Sequence, residues 1–104
     1  ILNPYTLITE IEDSLNNLQS EMGIELGAKI RMGLYVHIAV LVERIVTNNQ
    51  IENGKNTELF IKEHKGFIAW VSKCFSNIEK RYHIKFPVEE IVYIYDFFER
   101  AWIE

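Results

Sequence analysis

Gly33-Leu34-Tyr35-Val36-His37-Ile38-Ala39-Val40-Leu41-Val42-Glu43-Arg44-Ile45 is the most apolar run of the chain, and its period decides the fold. Ile30, Leu34, Ile38, Leu41 and Ile45 follow one another at steps of four, four, three and four residues. That spacing keeps them on one helical face, and the strict alternation of a strand is absent. The run therefore predicts the middle of a long helix from about Glu25 to Thr47. Tyr35, Val42 and Val46 widen its apolar arc, so this helix is expected at the centre of the fold. His37 and Arg44 stand seven residues apart at one rim of the stripe, about two turns along the axis. Gly33 lies one turn before His37 on the same strip.

Each of these side chains admits more than one reading. His37 at the rim is either a packing residue or a titratable group whose ring base is packed and whose edge reaches water. Arg44 is a solvated rim charge whose stem covers apolar surface, or a charge paired with another helix or subunit.

The flanking sequence continues the helical pattern. Asn3-Pro4 suits a helix start, with Asn as cap and Pro at the first position. Ile8, Ile11, Leu15, Leu18 and Met22 form one stripe, opposite Glu10, Glu12, Asp13, Asn16 and Asn17. Gly23 stands where a left-handed terminating residue is wanted. After the central helix, residues 48–56 are the only long polar stretch and read as a loop, with Ile51 tucked back. Thr57-Glu58 can cap a short third helix through about His64, and Lys65-Gly66 marks a break. A fourth helix is expected from Phe67 to Arg81, with Phe67, Val71, Phe75, Ile78 and Tyr82 as its stripe and Trp70 and Cys74 beside it. Ile84-Lys85-Phe86-Pro87 is a connector, because a residue before Pro avoids the helical region. The fifth helix runs from Val88 to about Trp102 and opens on Glu89 and Glu90, which suit a helix N-terminus. Val88, Ile91, Val92, Tyr95, Phe98 and Trp102 make its stripe, and Ile94, Phe97 and Ala101 widen it. No internal repeat is visible. The prediction is an all-α, five-helix bundle forming one domain over residues 1–104. Its core is expected to hold Leu34, Ile38, Leu41, Ile45, Phe75, Ile78, Ile91, Tyr95 and Phe98.

Composition narrows the function. The chain is 48% hydrophobic, enough to bury a core, and its formal net charge is −4, the wrong sign for gripping phosphate backbones. No nucleic-acid contact by this domain is expected. Cys74 is the single cysteine, which excludes an internal disulfide and a multi-cysteine zinc site. No membrane span or signal peptide is expected, and the start at Ile1 reads as a domain cut from a longer protein. There is no phosphate loop and no helical His-Glu-x-x-His, and the serines sit on helices without a nucleophile elbow. Glu89 and Glu90 are adjacent and so point apart on a helix. His64 and His83 fall at helix ends or connectors. No cofactor and no metal site is expected, although a metal set of His37, His64 and His83 remains a rival reading.

The segment from Gly33 to Ile45 resembles the histidine motif of PTS regulation domains, or PRDs, the sugar-uptake sensor domains of bacterial antiterminators and transcriptional activators. In that family a helix carries a His, an apolar run, and an Arg seven residues later. Residues 78–94, running through His83-Ile84-Lys85-Phe86-Pro87 into Glu90-Ile91-Val92-Tyr93-Ile94, are similar to the family's closing segment. The likeness covers about residues 5 to 102. Antiterminator members have an acidic residue before the motif His, where this chain has Val36, and a second His where it has Phe97. The chain thus looks like a one-site member, resembling those joined to an AAA+ domain acting on sigma-54 polymerase. The resemblance implies a cytoplasmic, non-enzymatic regulatory phosphoacceptor and a homodimer. It implies that His37 is phosphorylated by a PTS phosphocarrier, HPr or a IIB component, with Arg44 as candidate phosphate partner. A degenerate module that only dimerises is the alternative.

Overall fold

The computed structural model describes residues 3–47 and 57–103, and among them every regular element is a helix. Six helices follow in order: α1 Pro4–Met22, α2 Ala28–Val46, α3 Glu58–Glu63, α4 Lys65–Cys74, α5 Ser76–Tyr82 and α6 Val88–Ile103. The expected loop at 48–56 lies outside the described residues, as do the side chains of Ala101 and Trp102.

The ends follow the sequence signals. The Asn3 side chain accepts from the Tyr5 and Thr6 amides, and Gly23 closes α1 in the left-handed region at φ 68°. The stripe of α1 is Leu7, Ile11, Leu15 and Leu18, all buried, while the expected Ile8 is half exposed. Leu7 lies four residues before Ile11 and so falls in line, with Ile8 one residue off it. In α2, Ile30, Leu34, Ile38, Leu41, Val42 and Ile45 are buried as the spacing predicts.

The stretch expected as one fourth helix is two. The break falls at Phe75, φ −101° and ψ 9°, not at a glycine or proline. The Ser76 hydroxyl donates to the Lys73 carbonyl at 2.9 Å beside the break, a back-bond of the kind that often accompanies helix bending. The bend sends the fully buried Phe75 ring against Phe86, centroids 5.4 Å apart. The break expected at Lys65-Gly66 sits instead at His64, between α3 and α4, and Thr57 makes no side-chain cap for α3. Tyr95, expected in the core, is half-buried and meets Phe60 and Phe67 edge-on. Ile94, expected at the margin, is fully buried.

A repeat that the sequence hides becomes visible in the backbone. Gly23 and His83, sixty residues apart, both end a helix in the left-handed region. The next amides, Ile24 and Ile84, donate back to the carbonyls of Gln19 and Glu79 at 3.1 and 3.0 Å. Gln19 Oε1 accepts from the Leu26 amide at 2.7 Å, and Glu79 Oε2 accepts from the Phe86 amide at 2.8 Å. Helices α2 and α6 then start at Ala28 and Val88, in the same register. Buried positions keep the offset: Leu7 with Phe67, Ile11 with Val71, Leu15 with Phe75, Leu18 with Ile78, Leu34 with Ile94, and Ile38 with Phe98. The domain is therefore built from two copies of one helix–turn–helix unit, α1–α2 and α4/α5–α6. Helix α2 packs against both α1 and α6, so the central position expected for it is the one observed.

Candidate functional site

The register of α2 places Ile38 in the core, and that fixes His37 beside it at the rim facing α6. The His37 side chain keeps 22% of its surface accessible. Its ring lies 6.0 Å from the Tyr93 ring and 5.7 Å from the Phe97 ring, both on α6. Phe97 stands in the second unit where His37 stands in the first, so the equivalent positions of the two units meet across the α2–α6 interface. Gly33 makes that approach possible. A Cβ there would come within 2.8 Å of Phe97 Cε1. The space beside His37 that Gly33 opens is taken by the Phe97 ring.

Glu90 sits in the first turn of α6 and ties the site together. Its Oε1 lies 3.9 Å from His37 Nε2 and accepts from an Arg44 terminal nitrogen at 3.3 Å. The Glu90 side chain is 14% exposed, so the pair is partly shielded from solvent. A distance of 3.9 Å is electrostatic contact, not a hydrogen bond. His37 Nε2 and Arg44 Nε are both enclosed and have no hydrogen-bond partner among the described residues. Burial is the strongest influence on His37 and pushes its pKa below the ordinary value. The Glu90 carboxylate opposes that effect and the Arg44 charge adds to it. The imidazole is thereby held neutral, its nucleophilic form, near pH 7.

Sequence reasoning placed His37 and Arg44 on one strip, and the structure joins them through a residue it set aside. In the sequence Glu90 reads as a favourable charge at a helix start and as part of the closing segment, with nothing to link it to Arg44. Its other signal lay in the repeat: the equivalent position of the first unit is the buried Ile30. A carboxylate at a core-facing position asks for a partner, and Arg44 is that partner.

The other histidines stand elsewhere. His64, at the α3–α4 junction, stacks 4.8 Å from Phe60 and 4.3 Å from Tyr95. His83 is exposed at the end of α5. Among the described residues no group of three His, Cys, Asp or Glu side chains is placed to hold a metal ion. None of the described helices is long and apolar enough to cross a membrane.

A family model described as PRD domain matches residues 12–101. Among curated proteins, the chain is 27% identical over 101 residues to the transcriptional regulatory protein DagR of Salmonella typhimurium (strain 14028s / SGSC 2262). That alignment takes in 92% of this chain and 10% of the relative, so the chain spans about a tenth of the curated relative's length. No solved structure matches at a significant level.

Proposed function

The chain belongs to the PRD family, and on that premise we propose that it is a regulatory phosphoacceptor domain of a transcriptional regulator, modified on His37 by a phosphocarrier of the sugar phosphotransferase system. HPr or a IIB component is the donor. The domain turns over no substrate; its partners carry the phosphoryl-transfer chemistry. The observation that carries this reading is the placement of His37 Nε2 and the Arg44 guanidinium around one Glu90 oxygen, at 3.9 and 3.3 Å. A neutral ring nitrogen is the nucleophile, and Arg44 supplies donors matched to a phosphoryl group. Phe97 at the equivalent place in the second unit has no nucleophilic atom, so one site is proposed, as in the sigma-54-dependent activators.

The new charge acts at a helix–helix seam, where it repacks an interface and leaves the core intact. Met32, Val36 and Val40 recur at four-residue steps on α2 and are exposed, and Val40 lines a groove with Ile8 of α1, apolar surface that suits the proposed homodimer. A cytoplasmic setting follows from the donor.

The test is labelling from phosphoenolpyruvate through the first enzyme of the system and each phosphocarrier. His37→Ala is expected to abolish labelling with the fold retained, and His64→Ala and His83→Ala to leave it intact. The degenerate-module reading, which Phe97 favours, gains if no donor labels any histidine while another PRD accepts phosphate in the same assay.

A further inference from the structure

The unmodified site already holds an anion. Glu90 Oε1 alone reaches both His37 Nε2, at 3.9 Å, and the Arg44 guanidinium, at 3.3 Å. The rings of Tyr93 and Phe97 flank the imidazole at 6.0 and 5.7 Å, and its side chain keeps 22% of its surface accessible. The Arg44 Nε is enclosed and unused by Glu90, a second donor of the same fork that a phosphoryl oxygen can accept from.

We propose that Glu90 is a positioning residue that gates phosphoryl transfer: its carboxylate occupies the space between His37 and Arg44, and a phosphoryl group on His37 must displace it to reach Arg44. The inference rests on the phosphoacceptor reading above. A phosphohistidine brings about two negative charges and three acceptor oxygens, against one charge and two oxygens on the carboxylate. Two anions at one guanidinium repel, and the better acceptor keeps it. Glu90, on the first turn of α6, is then expelled from the α2–α6 seam. Expulsion of a residue on one helix by an event on the other is how modification reaches the helix packing.

Phosphoramidate tests the gate without a protein donor. The imidazole lone pair attacks phosphorus, the N–P bond to His37 forms, and the P–N bond to the departing ammonia breaks. The ring proton left on the imidazolium then passes to that ammonia, giving ammonium. The charged and titratable groups facing His37 among the described residues are Arg44 on its own helix and Glu90 and Tyr93 on α6. Wild type, Glu90→Gln, Glu90→Ala and the double variant Glu90→Gln/Arg44→Gln are labelled in parallel, with the labelled residue mapped. His37 is also titrated by NMR in wild type and Glu90→Gln.

The expected result is labelling of His37 several-fold faster in both single variants, with the gain lost in the double variant. The His37 titration is expected to move down in Glu90→Gln, because the carboxylate raises it. A Glu90 that only pairs with its neighbours moves the titration and leaves the labelling rate unchanged. Equal or slower labelling of His37 in the single variants overturns the gate and leaves the phosphoacceptor reading standing. An unmoved titration also overturns it. Absence of label on His37 in every protein overturns both.

Discussion

Burial holds the His37 imidazole below its ordinary pKa in the folded chain, whereas in the unfolded chain it titrates near about 6.5. Between the two values the unfolded state binds more protons, so folding weakens as pH falls through that window. The contribution of His37 is fully present above pH about 6.5 and is lost below it, toward the lowered folded value. Urea unfolding at pH 7.5 and pH 5 is expected to show a smaller loss of stability on acidification in His37→Gln than in wild type. At this scale the sequence is informative about the proposed phosphoacceptor and silent about its setting. His37 and Arg44 announce themselves by period and motif. Glu90 lies forty-six residues from Arg44, and only the packing of α6 on α2 brings it there. Gly33 is legible as a neighbour of His37 on the same strip, but the Phe97 ring that its missing side chain admits is not.

At the scale of elements, the two turns show which chemistry a fold demands and which it leaves free. Each needs a left-handed residue, a carboxylate or amide one turn earlier to accept a distant amide, and a buried side chain after it. The first turn meets these needs with Gly23, Gln19 and Leu26, the second with His83, Glu79 and Phe86. No pair is identical, so the repeat does not show as sequence identity, although every pair satisfies the same physical requirement. The left-handed position is strained for a residue with a Cβ. His83→Gly is therefore expected to stabilise the chain by about 0.5–1 kcal/mol, read as a raised urea midpoint with an unchanged slope. The break at Phe75 has no glycine or proline to betray it, and a serine hydroxyl turned back on its own helix stands beside it.

For the whole molecule, the decisive fact is that α2 of the first unit packs against α6 of the second. Leu34 and Ile38 face the core without exposure, and their counterparts Ile94 and Phe98 do the same on α6. The all-helical class and most of the core were legible because the period of α1, α2 and α6 is unbroken. Leu34→Ala removes a fully buried side chain at this seam and is expected to cost about 2–5 kcal/mol in denaturant unfolding. A cost well below that range would place Leu34 at a site able to collapse around the loss. The seam is also where the proposed modification acts, with His37 on one helix and Glu90 on the other. The central claim is that this seam carries one phosphorylatable nitrogen, on His37. Phosphorus NMR of the chain after incubation with phosphoenolpyruvate, the first enzyme of the phosphotransferase system and its phosphocarriers tests it most directly. One phosphohistidine resonance is expected, present in wild type and absent from His37→Ala; a resonance that persists in His37→Ala, or that vanishes in His64→Ala or His83→Ala instead, overturns the assignment.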